Sequence, residues 1–153
     1  MKRFFTFAVV PLLFAAFTTS SLAKTTATSM TQVSAWLGTW NCVSGKDRYT
    51  TTYTTLLNGA AMRVSDGGAN AAEGIAKFDT SQNKWFYTAV FGSGLYLSMM
   101  GTVSGNTLSF TEVYPPIGAT LTVRRLSATK YSDAFTMMSK GKKVSTSEVC
   151  TKS

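Results

Sequence analysis

The sequence predicts an all-β fold: a single closed antiparallel up-and-down β-barrel of about ten strands, entered through a short N-terminal helical turn. Three observations carry this. Beyond residue 37 the chain is dominated by Thr, Tyr, Val, Phe and Trp, with turn signals recurring about every ten residues. No amphipathic helix of useful length competes, and proline occurs only at 11, 115 and 116. The two cysteines, Cys42 and Cys150, stand in the first and last predicted strands, which meet at the seam of a closed ring.

The first 23 residues have the pattern of a secretory signal peptide. Lys2 and Arg3 give a positive start, Phe4 to Phe17 is uncharged and mostly apolar, and Ser21-Leu22-Ala23 places small residues where a signal peptidase reads. The alternative is a membrane anchor. The apolar run of about 14 residues falls short of the roughly 20 that a spanning helix needs. Cleavage near Ala23-Lys24 makes the protein secreted or periplasmic, with no transmembrane segment in the mature chain. No cysteine follows the cleavage site, which argues against a lipid anchor. The expected division is a signal peptide over 1–23, a leader and short helical turn over 24–37, and one barrel domain over 38–153.

Within the leader, Thr31 to Leu37 reads as a helical turn or two. The strands then follow at about 38–45, 48–57, 60–66, 73–79, 84–91, 95–103, 107–114, 119–127, 131–139 and 142–151. Short connections make neighbours in sequence neighbours in space, and antiparallel. Asn58-Gly59, Gly105-Asn106 and Lys140-Gly141 fit two-residue hairpin turns. They set Leu57 opposite Ala60, Thr55 opposite Met62 and Tyr53 opposite Val64. They likewise set Gly101 opposite Phe110, Met99 opposite Glu112, Met137 opposite Val144 and Asp133 opposite Glu148. The face that collects the larger apolar side chains is assigned to the interior.

A bridge between Cys42 and Cys150 suits an exported chain and would staple the seam of the ring. Closing a loop of more than a hundred residues is worth up to roughly 4–5 kcal/mol in the chain-entropy model. The alternative is two free thiols. Setting aside Lys2 and Arg3, 13 of the 15 basic residues remain against 7 acidic ones, a net charge of +6. The basic residues are scattered apart from Arg124-Arg125 and the Lys140-Gly141-Lys142-Lys143 turn. This reads as solubility. No recognition helix or zinc-finger spacing accompanies it, so nucleic acid is not an expected partner. The absence of His removes Ser-His and Cys-His nucleophilic sites and the usual zinc sites. No metal site and no catalytic residue is assigned, and a monomer is expected.

The stretch Trp36-Leu37-Gly38-Thr39-Trp40 resembles the signature of the calycin superfamily, which includes lipocalins, fatty-acid-binding proteins and nitrobindin-like barrels. There a helical turn runs into Gly-x-Trp at the first strand, and the Trp closes one end of the barrel; Gly38 and Trp40 match. Ten strands look more like the fatty-acid-binding or nitrobindin branch than the eight-stranded lipocalins. Phe78-Asp79-Thr80-Ser81-Gln82-Asn83-Lys84-Trp85 resembles a hairpin of uncharacterised bacterial lipocalin-like families, and Glu148-Val149-Cys150-Thr151-Lys152 resembles their tail. The resemblance implies a small-molecule-binding barrel. Nitrobindin-like barrels bind haem through a proximal His, and this chain has none, so no haem and no other cofactor is carried over. The arginine and tyrosine set by which many fatty-acid-binding proteins hold a carboxylate is not identifiable here.

The candidate site is a row, Arg125–Asp133–Glu148, across three neighbouring strands on the apolar face. A turn of three or four residues at about 128–130 brings Arg125 beside Asp133. Isolated buried charges are costly, so a row is more credible than three separate ions, and two acids beside one Arg push one carboxyl pKa upward. Buried, the row is a polar anchor for a ligand head group. At the rim it is a solvated trio worth a few tenths of a kcal/mol per pair. Glu112 beside Met99 is a second inward candidate. Met62, Met99, Met100, Met137 and Met138 line an adaptable cavity or fill the core. Tyr49, Tyr53 and Tyr131 pose the same choice, and Gly67-Gly68 marks a flexible loop at the barrel mouth. The favoured function is binding of a small apolar or amphiphilic ligand inside the barrel. The alternatives are a structural or interaction module with a filled barrel, and a cofactor-free isomerase or cyclase working through Asp133 and Glu148.

Overall fold

The computed structural model describes residues 30–68 and 71–153. The signal-peptide expectation over 1–23 and the leader over 24–29 lie outside the described residues. A short helical stretch over 30–36 ends in the 3-10 turn Ser34–Trp36. Ten strands follow: β1 (Gly38–Ser44), β2 (Asp47–Leu56), β3 (Ala61–Asp66), β4 (Ala72–Asp79), β5 (Lys84–Phe91), β6 (Tyr96–Ser104), β7 (Thr107–Tyr114), β8 (Thr120–Ser127), β9 (Lys130–Ser139) and β10 (Lys142–Lys152). Each pairs antiparallel with the next, and β1 pairs with β10 to close the ring. Closure leaves no unpaired strand edge.

The period-2 pattern turns Thr, Ser, Lys and Glu outward and apolar groups inward. In β4, Ala72, Gly74 and Ala76 are buried while Glu73, Ile75 and Lys77 are exposed. In β6, Leu97, Met99 and Gly101 are buried. Gly101 is there for space: a Cβ would lie 2.6 Å from the Phe110 ring, its partner on β7. An apolar inside and a Thr/Ser-rich outside is the reverse of a barrel that faces lipid. Among the described residues, no helix is long and apolar enough to cross a membrane.

Two of the three hairpin turns are as the sequence indicates. Ser104 pairs with Thr107 and Ser139 with Lys142, leaving Gly105-Asn106 and Lys140-Gly141 as two-residue turns. Lys140 and Gly141 both take positive φ, 50° and 73°, as a twisted hairpin requires. The third turn is wider. The last β2–β3 pair is Leu56 with Ala61, so Leu57 and Ala60 do not pair, and Leu57 and Asn58 both take positive φ. Thr55–Met62 and Tyr53–Val64 pair as expected.

Cys42 and Cys150 are direct Cα partners across the β1–β10 seam, 4.0 Å apart, and form a disulfide across 108 residues of chain. Because every connection is a hairpin, alternate turns fall at alternate ends. One end is a floor, where the helical stretch plugs the ring. Trp40 is fully buried, its Nε1 donates to the Trp36 carbonyl at 2.7 Å, and its ring meets Tyr131 edge-on at 4.9 Å. Trp85 Nε1 donates to Gln32 Oε1 at 3.3 Å. Gly38 takes φ 119° at the entry to β1, which favours glycine there.

Candidate ligand-binding lumen

Above this floor the barrel is hollow. The cavity measures about 420 Å³, within the range of small-molecule sites. Trp36 forms its base, and the residues nearest its opening include Asp47, Arg48, Gly67, Gly68, Ser93 and Leu95, at the β1–β2, β3–β4 and β5–β6 turns. Its walls are mostly apolar, with Met62, Leu97, Met99, Phe110, Phe135 and Met137 prominent. Met99 is fully buried. Met100 and Met138, one residue out of phase, are absent from the lining, and Met138 is exposed on the outer face.

Against this apolar wall stand three carboxylates: Asp66 from β3, Asp133 from β9 and Glu148 from β10. Asp133 and Glu148 are direct cross-strand partners, as the Lys140-Gly141 turn dictates. Asp66 accepts a hydrogen bond from Thr51 Oγ1 at 2.7 Å. Among the described residues no hydrogen-bond donor reaches Asp133, and Glu148 Oε1 meets only the disulfide-bonded Cys150 sulfur, at 3.6 Å. Burial therefore acts on them without compensation. Desolvation, with Asp66 adding like-charge repulsion, raises Asp133 to about 7. Desolvation alone raises Glu148 to about 7. Desolvation also raises Asp66, opposed by the Thr51 bond.

Tyrosines surround the carboxylates. Tyr53 and Tyr131 share a hydrogen bond between their hydroxyls at 3.2 Å, and burial pushes both phenols up. Tyr53 lines the cavity; Tyr131 is fully buried behind it, packed on Trp40. Tyr87 lies across Gly74, where a Cβ would sit 2.6 Å from its ring. Its hydroxyl has no hydrogen-bond partner among the described residues, and the residue lines the cavity. Burial pushes this phenol up as well, with Asp66 and Asp133 adding to the effect.

Two expected members are elsewhere. Arg125 does not join the row. The β8–β9 turn is only Ala128-Thr129, with a register shift between Arg125 and Ser127, so Arg125 faces Tyr131 and Val123 faces Asp133. At the floor, Arg125 donates to Asn106 Oδ1 at 3.0 Å and lies 5.9 Å over the Trp36 ring. Glu112 pairs with Met99 as expected but does not line the cavity. Its carboxylate accepts three backbone N–H bonds from the β7–β8 loop: Ile117 at 2.9 Å, Gly118 at 2.8 Å and Ala119 at 2.7 Å. These bonds, Ala119 first, hold its pKa down. It is a loop brace.

Asp66 and Tyr87 were not singled out from the sequence, although strand parity points to both. Asp66 continues the inward face of Met62 and Val64, and Tyr87 that of Trp85 and Ala89. The Cys42 and Cys150 sulfurs and the Glu148 carboxylate lie within 4.8 Å of one another, but sulfurs bonded to each other are not thiolate ligands. The lumen's polar groups are mainly carboxylates and phenols, which do not match a His-ligated haem. Chemically, such a set accepts hydrogen bonds, pairs with a cation and exchanges protons near neutral pH.

A closed ten-stranded antiparallel barrel fits a calycin-like fold in general. Compared with known proteins, the chain matches no family model and no curated protein at a significant level.

Proposed function

We propose that this chain is an exported, lipocalin-like barrel that holds an apolar or amphiphilic small molecule in its lumen. The observation that carries the reading is the cavity of about 420 Å³, floored by Trp36 and walled by Met, Leu and Phe side chains. A structural barrel would fill this space with side chains, as protein interiors are close-packed. The seam disulfide suits an oxidising compartment. The Gly38-x-Trp40 entry into β1 and the helical plug support the calycin-like assignment. Mixed polarity inside the cavity favours a ligand with an apolar body and one polar end.

The test is binding of the neutral fluorophore N-phenyl-1-naphthylamine. One molecule is expected to bind per barrel with a blue-shifted emission. Ala76→Phe, which adds a ring into the cavity from β4, is expected to weaken binding at least tenfold while the barrel stays folded by circular dichroism. Absence of binding, or equal binding by the variant, would contradict the reading.

A further inference from the structure

Charge is distributed very unevenly between the two faces of the wall. The chain carries 15 basic and 7 acidic residues, yet four of the seven acids line the cavity: Asp47, Asp66, Asp133 and Glu148. Among the described basic residues only Arg48 does so, and it is exposed at the mouth. The one ion pair among the described residues, Arg63–Glu73 at 2.9 Å, lies on the outside. Asp47 is exposed at the mouth beside Arg48, which leaves three acids, Asp66, Asp133 and Glu148, within the lumen and no basic residue among them. Half-buried carboxylates clustered without a cation repel one another in the empty barrel, and a bound positive charge relieves them. Tyr87, whose hydroxyl has no partner among the described residues, lines the same cavity with Tyr49 and Tyr53, and phenol rings attract cations.

We infer that the lumen selects amphiphiles with a cationic head group, an amine or quaternary ammonium, held between Asp133, Glu148 and Asp66 and flanked by Tyr53 and Tyr87, with the apolar tail against Met99 and Phe110. This rests on the lumen being a ligand site, as proposed above. Anionic amphiphiles are disfavoured by the same carboxylates. The titratable groups around Asp133 are Asp66 on β3, Tyr53 on β2, Tyr87 on β5, Tyr131 on its own strand and Glu148 on β10, and none is cationic. A cation therefore binds best when the acids are ionised, and its affinity rises as pH passes from 5.5 to 8.

The test is displacement of N-phenyl-1-naphthylamine by three ten-carbon chains below their micelle concentrations: decyltrimethylammonium, decanol and decanoate. At pH 8 and 0.15 M salt the ammonium is expected to bind at least tenfold tighter than decanol, and decanoate weakest. In the double variant Asp133→Asn/Glu148→Gln the preference for the ammonium over decanol is expected to fall to within threefold. The variant keeps the side-chain shapes, and circular dichroism checks that it is folded. Decanoate matching the ammonium, or a preference that survives in the variant, overturns the inference while leaving the lumen a ligand site. If none of the three chains nor the fluorophore binds, the ligand-site reading fails and this inference with it.

Discussion

At the floor of the barrel, Trp40 and Trp85 are fully buried and each indole N–H has an acceptor. In the lumen above, Asp133 and Glu148 are surrounded by apolar and aromatic groups and receive no donor. The floor follows the rule for a stable core, in which buried polar atoms are paired. The lumen carboxylates are only half-buried and face the open cavity, so the same ten strands carry a paired core and an unpaired polar wall. The contrast teaches where the molecule's stability resides and where its function is expected. Even the floor has one departure: among the described residues, the single buried polar atom without a partner is Trp36 Nε1, on the ring that forms the cavity base.

Deleting part of the floor is the most damaging way to probe this contrast. Trp40→Ala removes a fully buried indole and is expected to cost about 3–5 kcal/mol in chemical denaturation. Opening the seam comes next. Cys42→Ala/Cys150→Ala releases a 108-residue separation and is expected to cost about 2–4 kcal/mol, read as a lower midpoint in guanidinium.

Neutralising the lumen is expected to act in the opposite direction. Asp133 titrates near 7 in the folded chain, above its value of about 4 when unfolded. The folded state therefore holds the proton more tightly, and this group's contribution to stability falls as pH rises through that interval. Asp133→Asn is expected to stabilise the barrel by about 2 kcal/mol at pH 8.5, half of what the full shift converts to because the lumen opens to water, and by almost nothing near pH 4. Thermal melts of both proteins across pH check the sign. The smallest effect is expected at Arg125. Its guanidinium meets Asn106 and Trp36 rather than the acids, so Arg125→Met is expected to change stability by less than about 1 kcal/mol and to leave lumen binding unchanged.

Most of the wall was legible in the sequence, because two-residue turns fix register. Lys140-Gly141 placed Asp133 against Glu148, and Gly105-Asn106 placed Gly101 against Phe110. The cysteine positions gave the seam. Longer or irregular connections were not legible. One fewer turn residue and a register shift between Arg125 and Ser127 were enough to carry Arg125 away from Asp133. A comparable shift between Ser98 and Met99, with three loop amides to bind, took the Glu112 carboxylate out of the lumen. Asp66 is the last inward position of β3 and adjoins Gly67-Gly68, whose loop signal masks the strand parity that places it. Whether the barrel is hollow is a matter of summed side-chain volume in three dimensions, and no local pattern reports it.

The most direct measurement is a carbon-13 carboxyl NMR titration of the empty barrel, with Asp133 and Glu148 assigned through their Asn and Gln variants. Both resonances are expected to shift with midpoints near 7. Midpoints near 4 for both would mean that water or donors already satisfy them, and an acid-lined lumen waiting for a cation would be the wrong description of this barrel.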